Sequence, residues 1–347
     1  MRNWKKVVAM FSVGVLALSL AAFGGAKEAK ADDPISIYFI PKNLGNPYFE
    51  AISAGFQEAI KDFPEGTFTY EMVGPATAEA TSQIEYVEAA VQNGADVIFI
   101  AANSNDALNS TFDDARDAGT KIVIINQDIP GSEDHRDVAI QPCDFSLVGI
   151  ELLDHVKSLI GEGKFAVLSA TTDAPDQNTW IEGMQDLLAN DDSYAGLELV
   201  DIVYGDDQPE KSTTEMEALL AKHSDLDCVV APTTVGIAAA AKVLQTQGAG
   251  GETGVQLTGL GLPSEMAEFV LDGTVSEFKL WDPPAEGRIA VYMAYEMAVN
   301  GWEPAEGASY EAGDDGTITL NENNVVYTIP ALLTFNKDNI EEYAAQF

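Results

Sequence analysis

The sequence predicts an α/β protein built of two doubly wound parallel-sheet lobes that are joined by a hinge of crossing strands. Along the 347 residues, short apolar runs typical of buried strands alternate with amphipathic helical stretches, and this alternation occurs twice. No linker rich in glycine, serine or proline separates the two halves. This favours strands that pass between lobes over two independent domains.

The first half is predicted to contain four strands and three helices. The first strand covers residues 35–40, and the first helix begins at Asn46-Pro47 because proline is favoured at the first helical position. Phe49, Ile52 and Phe56 then recur at helical spacing on one face. The other strands are predicted at 68–73, 97–100 and 122–125, and the other helices at 78–92 and 106–118.

The second half is predicted to repeat this pattern. Its strands are expected at 165–168, 197–204, 228–231, 255–260 and 274–281, with helices at 177–188, 210–221, 236–247 and 285–300. A polar tail from Gly301 carries two short strands, at 317–320 and 325–329. With a first break near Pro142, the expected N-terminal lobe is 34–142 plus about 282–310, and the C-terminal lobe is 143–281 plus about 311–347.

Residues 1–31 have the order of zones found in a secretory signal peptide. Arg2, Lys5 and Lys6 precede an apolar run over 7–23, followed by small residues and an A-x-A cleavage site at 29–31. A membrane anchor is the alternative, because a run of 17 residues is close to spanning length. Either interpretation predicts export, to the periplasm or the cell exterior, and the run ends in Gly24-Gly25-Ala26 without a cysteine that could accept a lipid there.

The charge balance limits the classes of molecule that the protein is expected to bind. The chain carries 18 basic and 56 acidic residues, a formal net charge of −38. A chain this acidic repels phosphate backbones and anionic lipid, so no nucleic acid partner is expected. The charge and the leader, in place of an N-terminal helix-turn-helix and a basic face, argue against the sugar-sensing core of a transcription repressor. Because self-repulsion destabilises a compact chain unless salt screens it, the composition predicts the acidic protein of a halophile.

The sequence offers little for catalytic or metal chemistry. Cys143 and Cys228 lie 85 positions apart, and two buried free thiols are favoured over a disulfide, which stays open as the alternative. The three histidines lack the spacing of a helix-borne zinc site, and the segment Gly259-Leu260-Gly261 lacks the third glycine of a dinucleotide site. No metal, cofactor or catalytic residue is therefore predicted. An exported glycosidase that uses two acids from Asp128, Asp176 and Asp282 remains the alternative class.

Polar and aromatic side chains follow several predicted strands. Ligands collect beyond the carboxyl ends of parallel strands, where helix N-termini also point. The loops at those ends are 41–49, 126–128, 176–180, 232–234 and 281–282. They combine a lysine, amides, hydroxyls and carboxylates, which hydrogen-bond sugar hydroxyls, with aromatic faces that pack on C–H surfaces. For any single residue a structural role is an equal alternative, such as helix capping by Asn46 or Asp176.

Four segments, 40–49, 176–180, 231–240 and 280–283, resemble in order and composition the type I solute-binding proteins of sugar ABC transporters. The resemblance covers nearly all of the chain after the leader and is closest to the branch of rhamnose-binding proteins and the autoinducer-2 receptor. It implies the type I periplasmic-binding-protein fold and a monomeric clamp, not an enzyme, that closes on one small neutral sugar. The clamp would hand this sugar to a membrane permease, and a chemoreceptor is a further partner to consider.

The resemblance also implies which residues contact the ligand. Lys42, Asp176 and Gln177 match ligand-contacting positions of the receptor, and Pro232 and Thr234 match positions where its chain touches ligand. The predicted set is Lys42, Asn46, Tyr48, Phe49, Asn126 and Asp128 from the first lobe, and Asp176, Gln177, Pro232, Thr233, Thr234 and Trp281 from the second.

Two departures from the family pattern bear on the ligand. The receptor carries an aspartate where this chain has Asn126, for which Asp128 is near enough to substitute, and ribose binders carry one where it has Gly261. The second departure argues against ribose. Rhamnose or a similar deoxyhexose is favoured, because Phe49 and Trp281 can cover its methyl group, and autoinducer-2 or a pentose remains the alternative.

Overall fold

The computed structural model describes residues 33–321, 323–329 and 332–345, and the predicted signal peptide lies outside these residues. The described chain forms two parallel β-sheets with helices packed against them, together with two short two-stranded pairs. The predicted fold class is therefore confirmed. Within the described ranges, no helix combines the length and apolar character needed to cross a membrane.

The secondary structure alternates strands and helices until the tail. The strands are β1 Ile35–Ile40, β2 Phe68–Met72, β3 Val97–Ile100, β4 Lys121–Ile125, β5 Val138–Gln141, β6 Gly163–Ser169, β7 Leu197–Tyr204, β8 Cys228–Ala231, β9 Gln256–Gly259, β10 Glu277–Leu280, β11 Ser309–Glu311, β12 Thr317–Thr319, β13 Val325–Tyr327 and β14 Leu333–Asn336. The α-helices are α1 Pro47–Ala59, α2 Ile84–Gln92, α3 Asn109–Asp117, α4 Phe145–Ile160, α5 Pro175–Asn190, α6 Pro209–Lys222, α7 Thr234–Gln247, α8 Pro263–Leu271, α9 Pro283–Ala298 and α10 Ile340–Ala344.

The first sheet has the strand order β2-β1-β3-β4-β5-β13, and every neighbouring pair in it is parallel. Strand β3 is buried along its whole length, as expected for a central strand of a sheet that is covered on both faces. Helices α1 and α9 pack closely against each other beside this sheet. Because the neighbouring strands are parallel, the carboxyl ends of β1 and β4 lie at the same edge of the sheet.

The second sheet has the order β7-β6-β8-β9 and is also parallel throughout. A bridge between Leu260 and Lys279 continues it to β10, which pairs with β14 in antiparallel fashion. Helix α4 packs on α5, and α6 packs on α7. A large hydrophobic cluster contains residues from both sheets, including Phe39 and Phe165, so the two lobes share one packed interior.

The tail departs from the predicted lobe boundaries. Residues 311–347 were expected in the C-terminal lobe, but β13 pairs with β5 of the first sheet, with Val325 opposite Ala139. Strand β14 then returns to the second sheet. Pairing with β13 covers the edge of β5, which would otherwise leave its backbone N–H and C=O groups unpaired. A three-residue strand has too few residues for its periodicity to reveal its partner.

The structure also differs from the prediction in where two helices begin and in elements that were not predicted. The predicted helices at 78–92 and 106–118 begin later, at Ile84 and Asn109. Strand β5 and helices α4 and α8 were not predicted. Helix α4 buries Phe145, Val148, Leu152 and Val156 at helical spacing, so the sequence did contain the signal for this helix.

Both cysteines are free and buried, as the sequence analysis favoured. Cys228 lies in β8 and Cys143 lies just after β5. Burial raises the pKa of each thiol well above its usual range. Neither side chain is therefore a reactive nucleophile at neutral pH.

The excess of negative charge predicts a strong dependence of stability on salt. Many of the ion pairs are exposed, such as Lys164–Asp225 and Lys211–Asp206, and 18 basic residues cannot neutralise 56 acidic ones. We expect the melting temperature to rise by about 5 °C or more between low and molar NaCl, measured by scanning calorimetry at pH 7. The gain should shrink near pH 4, where carboxylates take up protons. An unchanged melting temperature at pH 7 would contradict the expectation.

Candidate functional site

A cavity lies between the two sheets, at the carboxyl ends of β1, β4, β8 and β10. Eleven of the twelve residues predicted from the sequence line it, and Asp128 is the exception. Four further residues complete the lining: Trp180, Asp207, Leu260 and Leu280.

A buried ion pair joins the two lobes across this cavity. The Lys42 ammonium, after β1, donates to the two carboxylate oxygens of Asp176 at 2.9 and 3.1 Å. Asp176 lies in the first turn of α5, where the helix dipole favours an anion, and Pro175 starts that helix. The side chains of Lys42 and Asp176 are 8% and 5% exposed, so solvent screens their interaction little.

Two amide side chains of the lining, Asn46 and Gln177, are held in place by hydrogen bonds within the protein. The Asn46 Oδ1 accepts the Tyr48 N–H at 3.0 Å, which makes Asn46 both the cap of α1 and part of the lining. The Gln177 Oε1 accepts the Ser169 hydroxyl at 2.7 Å and the Ala170 N–H at 2.8 Å. These bonds occupy the Gln177 oxygen and leave its amide NH₂ group as a donor.

Tyr48 is the centre of a buried hydrogen-bond network. Its Oη accepts the Trp281 indole N–H at 2.7 Å and lies 2.5 Å from the Asn126 Oδ1 and 3.0 Å from the Glu286 Oε1. Burial, and next the charge of Glu286, raise the pKa of the Tyr48 phenol well above its usual range, so it remains a neutral hydroxyl. Asn126 adopts a left-handed conformation with φ of 73°, which asparagine tolerates better than most residues.

Aromatic rings form one wall of the cavity. The ring centroids of Trp180 and Trp281 are 6.1 Å apart, and Phe145 packs behind both, at 5.0 and 5.9 Å. The Trp180 Nε1 is buried and has no hydrogen-bond partner among the described residues. An indole N–H in a cavity wall can donate to a ligand oxygen.

Asp207 was missed in the sequence analysis although it lines the cavity. It follows β7 in a left-handed conformation with φ of 49° and accepts the Thr233 hydroxyl at 2.5 Å. Burial raises the pKa of Asp207, while the bond from Thr233 and the charge of Lys42 partly offset this effect. The signal was present in the sequence, because Asp206-Asp207 lies at a strand's carboxyl end like the other predicted residues.

Asp128 does not take the place of the missing aspartate at position 126. Arg136 binds its carboxylate through Nε at 2.5 Å and through Nη2 at 2.6 Å. The same guanidinium donates to the backbone oxygen of Asn323 at 3.1 Å. The expected contribution of Asp128 to the cavity is therefore corrected: it belongs to a structural ion pair, which nearness in sequence could not reveal.

The described residues contain no group of three or more His, Cys, Asp and Glu side chains suited to a metal ion. The cavity can thus be described through its own groups: one lysine paired with an aspartate, a second buried aspartate, amides, hydroxyls and aromatic faces. Such a site can bind several hydroxyls at once while packing on an apolar face.

Comparison with known proteins places these features in context. A family model described as a periplasmic binding protein domain matches residues 37–301. A sugar ABC transporter structure from Actinomyces odontolyticus is 43% identical with a TM-score of 0.70, covering 89% of this chain and 97% of that chain. A solute-binding protein from Clostridium phytofermentas with bound L-rhamnose is 31% identical with a TM-score of 0.83, covering 90% and 99%. LsrB from Clostridium saccharobutylicum, in complex with AI-2, is 24% identical with a TM-score of 0.81, covering 89% and 99%.

Proposed function

The chain belongs to the periplasmic binding proteins of sugar ABC transporters, and from this premise we propose that it captures L-rhamnose or a similar deoxyhexose between its lobes. It then delivers the sugar to an ABC transporter permease outside the cytoplasm, as a monomer exported by its signal peptide. The observation that carries the proposal is the interlobe cavity, in which the Lys42–Asp176 pair faces the aromatic wall of Trp180 and Trp281.

The charges of the cavity favour an uncharged ligand. Among the described residues that line the cavity, Lys42 is the only cationic side chain; it is compensated by Asp176, and Asp207 adds a second carboxyl group. A sugar phosphate or sugar acid would therefore meet no unpaired positive charge. A neutral polyol gains hydrogen bonds from these groups without bringing an uncompensated charge into the protein.

The apolar surface of the cavity favours a deoxy sugar. Phe49, Trp180 and Trp281 line it, and their faces can cover a methyl group. At Gly261, a Cβ atom would lie 2.8 Å from the Met266 side chain and 3.0 Å from the Phe278 ring. There is accordingly little room for the aspartate that ribose binders carry at this position, which supports a ligand other than ribose.

Each carboxylate of the alternative glycosidase already has a cationic partner. Asp176 pairs with Lys42, Asp128 with Arg136, and Asp282 with Arg288 at 3.2 Å. A glycosidase needs one of its acids to hold a proton and to share a cleft with the other. These pairings therefore support ligand binding over hydrolysis.

The ligand is identified by titration calorimetry. L-rhamnose, D-fucose, D-ribose and autoinducer-2 are titrated into the purified protein, and the ligand of the tightest complex is recovered and analysed. We expect L-rhamnose to bind most tightly and to be recovered unchanged. Tighter binding of a pentose or of autoinducer-2 would replace rhamnose as the ligand, and a hydrolysed substrate would support the enzyme.

Trp180→Phe tests the proposed indole donor in the wall. Because phenylalanine keeps an aromatic face but loses the indole N–H together with the five-membered ring, we expect sugar affinity to fall about five- to tenfold, near 1 kcal/mol. The melting temperature should fall by about a few degrees, because the smaller ring leaves a space in the buried wall but breaks no hydrogen bond among the described residues.

Trp302→Phe is the matched control for that variant. The Trp302 Nε1 is likewise buried without a partner among the described residues, but Trp302 packs on Tyr310, and neither residue lines the cavity. Its loss should leave the affinity unchanged. Equal affinities for the two variants would remove Trp180 from the proposed site.

A further inference from the structure

The protons around the Tyr48 hydroxyl can be counted one by one. Tyr48 Oη has three polar neighbours, Trp281 Nε1 at 2.7 Å, Asn126 Oδ1 at 2.5 Å and Glu286 Oε1 at 3.0 Å. An indole nitrogen can only donate, so the Trp281 contact uses an acceptor lone pair of the hydroxyl. The single phenol proton must then serve one of the other two contacts.

The distances assign that proton to Asn126. The 2.5 Å contact fits an O–H···O bond, which spans about 2.5–3.0 Å, and is too short for an N–H···O bond of about 2.7–3.2 Å. The Asn126 oxygen, rather than its NH₂ group, therefore faces the hydroxyl and accepts its proton. The remaining contact joins two oxygens, and its proton has to come from Glu286.

We infer that Glu286 is held as a neutral carboxylic acid that donates its proton to Tyr48 and so acts as a positioning residue for the ligand-binding face. Only the positioning role rests on the proposed sugar-binding function; the protonation of Glu286 does not. The order of donors is then continuous: Glu286 donates to Tyr48, Tyr48 donates to Asn126, and Trp281 donates to Tyr48. Tyr48, Asn126 and Trp281 all line the cavity, whereas Glu286 lies behind them in the first turn of α9.

The surroundings of Glu286 agree with a neutral group. Its side chain is fully buried, and its second oxygen has no hydrogen-bond partner among the described residues. The ionisable groups that face it are Tyr48 from α1, Cys143 from the segment after β5, and Asp282 at the cap of its own helix. In the described part of the chain it forms no ion pair with a cation. An ionised carboxylate in such a place would lose its hydration without gaining a compensating cation.

Burial is also the main reason that the pKa of Glu286 lies well above its usual range, and its contacts with Tyr48 Oη and the Asn126 backbone partly offset this effect. The folded protein thus keeps a proton that the unfolded chain releases above about pH 4.5. Stability contributed by this proton is complete below that pH and is lost as the pH rises towards the folded-state pKa.

Infrared spectroscopy of the ligand-free protein at pH 7 tests the protonation directly. We expect a carbonyl band of a protonated carboxyl group that is absent from Glu286→Gln and shifted in Tyr48→Phe, which removes the acceptor of the proton. If Glu286→Gln fails to fold, the shift in Tyr48→Phe carries the test. A wild-type spectrum with no such band, or a band that neither substitution affects, would overturn the inference.

Two further measurements use the same variants. The unfolding constant of the wild type relative to Glu286→Gln should rise with pH above about 4.5, by up to tenfold per pH unit, and a change with the opposite sign would contradict the inference.

Glu286→Gln, which retains a donor for Tyr48, should bind L-rhamnose at least tenfold more tightly than Glu286→Ala; equal affinities would remove the positioning role. If neither the wild type nor any variant binds a sugar, the proposed function fails, while the infrared result still decides whether Glu286 is protonated.

Discussion

Asp176→Ala is expected to weaken sugar binding by roughly 30- to 700-fold, or about 2 to 4 kcal/mol. The substitution removes a carboxylate proposed to contact the sugar and leaves the Lys42 ammonium buried without its partner. A buried charge without a partner is costly, so the closed arrangement of the lobes loses stability together with the ligand contact. Titration calorimetry with L-rhamnose at pH 7 measures the loss.

Two comparisons make this expectation specific. Asp225→Ala removes an exposed ion pair with Lys164, which should cost little stability and leave sugar affinity unchanged. The double variant Lys42→Ala, Asp176→Ala removes both members of the pair, so neither leaves the other buried alone, and the total loss should be smaller than the sum of the two single losses. Full affinity in the Asp176→Ala protein would place the binding site elsewhere.

The parts of the fold that could be predicted from sequence are those with local signals. Strands β3, β7 and β8 were predicted with their observed bounds, because each is rich in apolar and β-branched residues. The pairing of β13 with β5 could not be predicted. It depends on which sheet edge is free, and a three-residue strand carries too little pattern to indicate that.

The same division explains the candidate site. Lys42 and Asp176 could be proposed because both follow strand ends, where parallel sheets collect ligands, and the family resemblance added to that evidence. Their distance of 2.9 Å could not be predicted, since it depends on how the lobes meet. Glu286 gave no signal at all. It is one of 56 acidic residues, and only the crossing of α1 and α9 buries it beside Tyr48.

Gly55→Ala is expected to destabilise the protein by about 3 kcal/mol or more, because overpacking at a backbone contact cannot be relieved by a side-chain rotation. Helices α1 and α9 approach so closely that a Cβ on Gly55 would lie 2.0 Å from the Pro284 carbonyl oxygen. Gly287 faces the Ile52 carbonyl oxygen in the same way, at 2.2 Å. We expect the melting temperature to fall by about 6 °C or more.

Gly183→Ala is the matched control, because Gly183 also lies within a helix but its Cβ would have no neighbour within 4 Å. There the higher helix propensity of alanine should stabilise the protein by about 0.5–1 kcal/mol. The two substitutions add the same methyl group and should change stability in opposite directions.

Gly55→Ala should also weaken sugar binding, since the crossing of α1 and α9 sets the distance between Tyr48 and Glu286. A Gly55→Ala protein with unchanged stability would show that the helices can separate, and the network at Tyr48 would then need another source of its geometry.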